Sequence, residues 1–249
     1  LKTLVYPCFI KPDASMKGSK ALMRSCRDVE ELRQVLKECA MKGSQELIVE
    51  EYADIKAEYS LLGMCINGKS SVSGVFRTIV GGHKERKGVA AAGEIVLLES
   101  FQEIIDKCNT FIESIGYTGM FDIDLLETKA GHLYFVEMNF RAGASAHVFS
   151  EAGINLPGIF LQCCEGRADA LPRKADIQPG TSFVSEKILL EEYINGDISR
   201  RECKKMIRSA GVQFIYDKCD KKPYQYFRRY VILATILKIP YRIKFYLRK

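Results

Sequence analysis

Residues 119–141 read GMFDIDLLETKAGHLYFVEMNFR, two largely apolar runs on either side of a turn at residues 129–132. Apolar and polar side chains alternate in these runs, which predicts two paired β-strands. An antiparallel hairpin centred on the turn places Asp124 directly opposite Glu137. The two carboxylates are therefore expected side by side on one face of a sheet.

The alternation of strand side chains gives this hairpin one polar and one apolar face. Asp122 and Asn139 join the two carboxylates on the polar face. The residues predicted to face a core are Phe121, Ile123, Leu125, Val136 and Met138. Mg²⁺ is usually held by one or two carboxylates together with substrate phosphates, so the polar face predicts a metal and phosphate site. The alternative is a solvated strand face that carries acids by chance.

A second candidate element lies upstream, where a short apolar strand, residues 6–12, carries Lys11 near its end. The loop that follows, residues 13–20, is rich in donors and includes Gly18 and Ser19. Backbone N–H groups of such a loop can approach phosphate oxygens, and a lysine can supply a charge to them. The spacing fits neither the P-loop nor the dinucleotide-binding fingerprint, so neither of those sites is supported. A plain surface turn explains the loop equally well.

Two further predicted strands, residues 47–53 and 57–64, complete an order of segments that resembles the ATP-grasp superfamily of carboxylate–amine ligases. It is similar to the ATP-grasp domains of carbamoyl phosphate synthetase large chains and of D-alanine–D-alanine ligases. The resemblance covers roughly residues 4–165 and is most specific in residues 119–157. There the family has an acid on a strand, a turn, a Glu-x-Asn-x-Arg strand end, a small-residue stretch and an Ala-Gly segment. The matching residues here are Asp124, Glu137, Asn139, Arg141, Gly143-Ala144-Ser145 and Ala152-Gly153-Ile154.

The resemblance implies a nucleotide site built from the first sixty residues. Lys11 would bind the phosphates, and the loop containing Gly18 would close over them. Glu50 or Glu51 would face the adenine, and the sequence leaves the choice between them open, while Glu58 would accept hydrogen bonds from the ribose. The nucleotide-binding residues expected on this basis are Lys11, Gly18, Ser19, Glu50, Glu51, Tyr52, Ala53 and Glu58.

The resemblance also assigns the metal and the reaction. Asp124, Glu137 and Asn139 would ligate one or two Mg²⁺ or Mn²⁺ ions that bridge the β- and γ-phosphates of ATP. Arg141 would be catalytic, because it would neutralise the γ-phosphate and the acyl phosphate formed from it. The expected function is an ATP-dependent ligase, in which a substrate carboxylate is activated as an acyl phosphate and an amine then displaces phosphate to form an amide.

Two alternatives share the same nucleotide-binding residues. The first is a bicarbonate-activating enzyme of the carbamoyl phosphate synthetase or biotin carboxylase type, which would differ only in its acceptor pocket. The second is a non-catalytic module that binds nucleotide or docks on a membrane. The expected partners are small-molecule acids and amines, and the sequence identifies neither these substrates nor an oligomeric state.

The predicted fold class is α+β, an ATP-grasp fold of antiparallel sheets with flanking helices and the nucleotide between two subdomains. We expect a small subdomain in residues 1–60, a large subdomain with the metal site in residues 61–190 and a helical, basic extension in residues 191–249. The chain opens at Leu1, almost directly in the strand that carries Lys11. We therefore expect a fragment that lacks its N-terminal part, and its activity alone is left open.

Local signals mark several ends of helices and strands. Asp28 precedes an amphipathic segment and Ser199 precedes another, each with a glutamate three residues later, which predicts capped helix starts. Asn67-Gly68 predicts a two-residue hairpin turn. Residues 80–93 are rich in glycine and basic residues with little periodicity, which predicts a loop.

Composition restricts the class of protein further. With 47% apolar and 27% charged residues among 249, the chain can bury an ordinary core. No apolar run approaches eighteen residues, and the nine cysteines show no metal-like spacing, so a cytoplasmic enzyme with free thiols is expected.

The C-terminal segment, Lys221–Lys249, carries nine of the 37 Lys and Arg residues and no acid. The remaining 28 basic residues face 31 acidic ones, so the positive net charge of +6 belongs to this tail. Its alternation of aromatic and cationic residues is typical of a segment at a membrane interface. The tail is expected to pack on the protein or to rest on an anionic membrane; no nucleic-acid partner is expected, since no recognised module is present.

Overall fold

The computed structural model of the chain describes residues 4–12, 23–41, 46–81, 89–167 and 179–229. These residues form one three-stranded and one seven-stranded β-sheet, with helices packed against both. The predicted α+β class is therefore confirmed.

The three-stranded sheet has the order β2-β1-β3 and is antiparallel throughout. Its strands are β1 (Cys8–Pro12), β2 (Arg24–Cys26) and β3 (Leu47–Glu51), and α1 (Val29–Met41) packs against them. The side chains that form this core are Cys8, Ile10, Cys26, Leu32, Val35 and Cys39.

The start of α1 is capped as the sequence predicts. The Oδ1 atom of Asp28 accepts hydrogen bonds from the backbone N–H groups of Glu30 and Glu31, both at 2.9 Å. Glu31 turns back, but its carboxylate accepts from the N–H of Arg27 at 2.8 Å rather than from that of Asp28. These contacts satisfy N–H groups that a helix start leaves without intrahelical partners.

The seven-stranded sheet has the order β10-β9-β6-β5-β4-β7-β8. Its strands are β4 (Ile55–Ile66), β5 (Lys69–Gly81), β6 (Ala90–Val96), β7 (Gly119–Thr128), β8 (Leu133–Asn139), β9 (Ser182–Val184) and β10 (Val212–Gln213). Neighbouring strands are antiparallel, except that β10 runs parallel to β9. The predicted turn between β4 and β5 is confirmed: Asn67 and Gly68 have φ values of 51° and 70°, as a two-residue hairpin of this kind requires.

The two faces of this sheet are covered by different helices. A 3₁₀ turn (Leu98–Phe101) and α2 (Gln102–Ser114) cover the face that carries Leu61, Ile123 and Leu125. On the other face, α3 (Ala146–Glu151) and α4 (Leu156–Cys164) pack over the C-terminal half of β4. The side chains buried beneath α3 and α4 include Leu62, Met64, Ile66, Phe76 and Ile95. On this second face, the N-terminal half of β4 and the part of β7 that pairs with it carry polar residues.

The C-terminal part of the described chain adds α5 (Glu186–Asn195) and α6 (Arg200–Ser209). The predicted cap of α6 is confirmed, since Ser199 and Glu202 accept each other's backbone N–H groups at 3.2 and 2.8 Å. The buried carboxylate of Glu186 accepts the backbone N–H groups of Phe214, Ile215 and Tyr216, at 3.0, 3.0 and 2.9 Å. This contact fixes the segment after β10 to the start of α5.

Two sequence expectations need correction. Val136 does not face the core: β8 bulges between the pairs Asp124–Glu137 and Leu125–Phe135, and Val136 is 41% exposed. The predicted loop at residues 80–93 is shorter, because β5 extends to Gly81 and β6 begins at Ala90. Residues 82–88 and the tail after residue 229 lie outside the described residues.

The division into three parts remains a prediction. The change from the first sheet to the second falls between Glu51 and Ile55, and β10 joins the second sheet beyond the proposed boundary at residue 190. Within the described parts of the chain, no helix is both long and apolar enough to span a membrane.

Candidate functional site

The polar face of the β7–β8 hairpin has the predicted register. Asp124 pairs with Glu137, and Asp122 pairs with Asn139. Because β8 is the edge strand of the sheet, this row of oxygen-bearing side chains lies at one border of the sheet face. The prediction that these four residues share a face is confirmed.

The site extends onto β4, where the sequence analysis identified Glu58 but missed Ser60. Ser60 lies opposite Asp124, and its hydroxyl donates a hydrogen bond of 2.9 Å to Asp124 Oδ1. Glu58 lies two residues earlier on the same strand face, and its charge helps to raise the pKa of Asp124. The alternation along β4 places Ser60 beside Glu58 on this face, but only the pairing with β7 brings it to Asp124.

Burial dominates the electrostatics of the two aspartates. Burial raises the pKa of Asp124, and the neighbouring Glu137 raises it further, while the hydrogen bond from Ser60 opposes the rise. Burial also raises the pKa of Asp122 to about 7, with a further contribution from the charge of Asp124. Asp122 is 8% exposed, and within the described residues its Oδ1 atom has no hydrogen-bond partner. The site therefore holds excess negative charge that a cation would relieve.

Arg141 follows β8 and lies at the end of a short chain of hydrogen bonds. Its Nη2 donates to Asn139 Oδ1 at 3.2 Å, and Asn139 Nδ2 donates to Glu137 Oε1 at 3.3 Å. The guanidinium also lowers the pKa of Asp122 against the effect of burial. Arg141 is exposed, so its remaining donors can reach an anion beside the carboxylates.

Gly143 allows the loop before α3 to lie directly against Asp122. A Cβ atom at this position would lie 1.8 Å from Asp122 Oδ2, far inside contact distance. The glycine is needed here for space.

We expect Gly143→Ala to lower the free energy of unfolding by about 1–3 kcal/mol, because Asp122 or the loop must move. Urea unfolding measures the effect. Gly81→Ala is the matched control, since a Cβ there meets no atom within 4 Å. Equal stability of the two variants would contradict the close contact between Gly143 and Asp122.

The residues expected to bind the nucleotide lie partly in the three-stranded sheet. Lys11 Nζ forms an ion pair of 2.6 Å with Glu50, one strand away. Glu51 and Tyr52 are exposed at the end of β3, and Ala53 is half-buried just after it. Gly18 and Ser19 lie outside the described residues. The choice between Glu50 and Glu51 as the adenine contact stays open, although a phosphate on Lys11 would have to compete with Glu50.

The oxygen ligands on β7 and β8 suit a small hard cation that is also bound by ligands from outside the protein. In the described parts of the chain, no three His, Cys, Asp or Glu side chains form a ready metal cage. Two carboxylates and one amide oxygen are too few for Mg²⁺ alone, but they suit Mg²⁺ that is also bound by phosphates and water. When ionised, the buried carboxylate of Asp122 adds negative potential to this position.

Solved structures with a similar fold include two enzymes. The chain resembles a biotin carboxylase from Campylobacter jejuni in complex with an ATP compound, with a TM-score of 0.57, 19% sequence identity, and coverage of 73% of this chain and 41% of that one. It also resembles an L-amino acid ligase from Bacillus licheniformis, with a TM-score of 0.50 and 19% identity over 64% of this chain and 41% of that one. At these identities the likeness defines the fold alone.

The family follows from the sequence match. Residues 45–183 match the family model described as an ATP-grasp in the biosynthetic pathway with Ter operon. This match spans more than half of the chain, and the protein belongs to this ATP-grasp family. The expected use of ATP and Mg²⁺ agrees with that membership.

Two relatives match a little over half of the chain. The formate-dependent phosphoribosylglycinamide formyltransferase of a Nitratiruptor species is 29% identical over 144 residues, which is 56% of this chain and 35% of that protein. The same enzyme of Pseudomonas fluorescens is 28% identical over 149 residues, which is 57% of this chain and again 35% of that protein. The chain thus spans about a third of the length of these relatives.

Proposed function

We propose that this chain is the Mg-ATP-binding part of an ATP-dependent ligase that joins a carboxylate to an amine. The observation that carries the proposal is the array of Asp124, Glu137, Asn139 and Arg141 along β7 and β8. In this row, two carboxylates and an amide oxygen are available to a metal ion, and a guanidinium is available to a phosphate. The formate-dependent relatives support a carboxylate substrate.

Each residue of the site has its own role in the proposed phosphoryl transfer. Asp124 and Glu137, with Asn139, would hold Mg²⁺, which neutralises the β- and γ-phosphates when bound. Ser60 orients Asp124 by its hydrogen bond. Arg141 donates to the oxygens of the transferred phosphoryl group, and Lys11 leaves Glu50 to pair with a phosphate oxygen.

The reaction proceeds in two displacements. A carboxylate oxygen of the substrate attacks the γ-phosphorus, the bond to the β-phosphate oxygen breaks, and ADP leaves. An amine then attacks the acyl carbon, phosphate leaves with the bonding electrons, and the nitrogen loses a proton to give the amide. Arg141 stabilises the negative charge in both steps. Electrostatic stabilisation of this kind is the main contribution of a protein to the catalysis of phosphoryl transfer.

The identity of the acid separates this proposal from a bicarbonate-activating enzyme, which would use the same ATP-binding residues.

The C-terminal tail, residues 221–249, supports a peripheral membrane contact, because its nine cations and interleaved aromatic residues suit an anionic interface. The enzyme would then act at the cytoplasmic surface of a membrane.

Calorimetric titration of a non-hydrolysable ATP analogue tests the nucleotide site. The wild-type chain should bind the analogue with Mg²⁺ and bind it at least about tenfold more weakly in chelator. Lys11→Ala should weaken binding by about tenfold, since a charged hydrogen bond to phosphate is lost. Lys56→Ala is the matched control, because that lysine pairs with Glu127 on the other face of the sheet. Failure of the wild-type chain to bind would overturn the proposal.

A further inference from the structure

Helix α6 carries an unusual concentration of positive charge. Residues 200–209 read RRECKKMIRS, with five cations and a single acid, Glu202. That acid is engaged in the cap with Ser199. Arg201, Lys204, Lys205 and Arg208 recur at intervals of three and four residues, so they share one side of the helix.

The orientation of α6 is fixed by its opposite side. Cys203 is buried, and Met206 and Ile207 pack against the core cluster that contains Val184 and Leu189. The helix end is also held, since Ser182 Oγ donates to the backbone oxygen of Ser209 at 3.3 Å. The cationic side is therefore held outward by the packing of the helix.

In the part of the chain that the structure describes, the cations of α6 have no acidic partner. Among the described residues, no carboxylate lies within ion-pair distance of the five, whereas Arg27, Arg33, Lys107 and Lys129 each pair with an acid. A shallow depression of about 500 Å³ lies among the cations. The residues that line it are Arg201, Lys204, Lys205, Arg208 and Ser209. Like charges at these spacings repel one another, and a bound anion would relieve the repulsion.

The chemistry of this surface fits phosphate groups. One guanidinium group can donate two parallel hydrogen bonds to a phosphate, and an ammonium group adds a point charge. Four such groups on one side of a helix suit many phosphates presented together on a surface, each cation contributing about 1 kcal/mol.

The sequence that follows favours a lipid surface over a nucleic acid. Residues 222–229 are helical, and Tyr226 on this helix is 77% exposed. The next residues, 230–237, read YVILATIL, an apolar run without charge. Apolar and aromatic residues beside cations suit the boundary between headgroups and acyl chains. We propose that the cationic side of α6 binds the phosphate headgroups of an anionic bilayer, independently of the ligase proposal.

Vesicle sedimentation with the full chain tests this proposal. The wild type should bind vesicles of phosphatidylglycerol and phosphatidylcholine, and the variant Arg201→Gln, Lys204→Gln, Lys205→Gln, Arg208→Gln should bind them about 100-fold more weakly. The matched control replaces Arg27, Arg33, Lys107 and Lys129 by glutamine, which changes the net charge equally and should alter binding by no more than about threefold. Circular dichroism and urea unfolding confirm that the variants fold.

Three results would overturn the proposal. The first is equal loss of vesicle binding in the two variants, which would make the effect one of net charge. The second is unchanged vesicle binding in the folded α6 variant. The third is tighter binding of duplex DNA than of anionic vesicles, lost in the α6 variant, which would assign the surface to nucleic acid.

Discussion

Glu137→Gln should weaken Mg²⁺-dependent binding of an ATP analogue by about 100-fold or more, because a charged ligand is replaced by a neutral one of the same shape. The hydrogen bond that Asn139 donates to Glu137 Oε1 can be kept by the glutamine oxygen, so the hairpin should retain its structure. Asp124→Asn should act in the same direction. Calorimetry in the presence of Mg²⁺ measures the loss.

A second condition makes this result specific for the metal. In chelator, the Glu137→Gln chain should bind the nucleotide at least as tightly as the wild type, since the carboxylate then holds no metal and repels the phosphates. Glu127→Gln is the control, because Glu127 lies on the same hairpin but accepts hydrogen bonds from Lys56 and Tyr59 on the opposite face. If Glu137→Gln kept wild-type affinity in Mg²⁺, the assignment of the metal ligands would be wrong.

Asp122 should make the stability of the metal-free protein fall as pH rises from about 4 to about 7. Its pKa is raised from 3.8 to about 7 in the folded chain, so the folded state holds the proton that the unfolded state has released in this range. Stability falls with pH wherever the folded state binds more protons. The full effect is about 4 kcal/mol, and it is complete above the folded-state pKa.

The measurement compares urea unfolding of wild type and Asp122→Asn in chelator across this pH range. The wild type should lose stability relative to the variant as pH rises, while Asp124 contributes in the same direction in both proteins. Asp106→Asn, an exposed change on α2, should run parallel to the wild type. A difference between wild type and Asp122→Asn that is constant with pH would contradict the raised pKa.

The sequence predicts the parts of this fold that depend on near neighbours. The hairpin pattern predicts that Asp124 and Glu137 share a face, but their direct pairing also depends on the bulge at Val136. The pairs nearest the turn, such as Glu127–Leu133, lie one residue out of the predicted register, and the bulge restores it. Asn67-Gly68 specifies its turn because both residues tolerate positive φ. Asp28 and Ser199 cap helices through bonds to residues two or three positions away.

Other features depend on contacts between distant segments. The local sequence pattern gives no signal for the bulge at Val136. The exposure of Val136 could therefore not be predicted. Ser60 reaches Asp124 only because β4 pairs with β7, 64 residues away in the chain. The burial of Asp122 depends on Gly143, which belongs to a loop beyond the hairpin. The raised pKa values of the site therefore arise from tertiary packing.

The carboxylate of Glu186 defines where the chain can be cut. Its three hydrogen bonds come from backbone N–H groups of residues 214–216, so a chain ending after Ala210 would lose β10 and all three donors. An unpartnered buried charge costs about 3–5 kcal/mol, a large share of the stability of a domain. The smallest fragment that preserves the second sheet therefore extends through Tyr216, well past the last helix that packs on it.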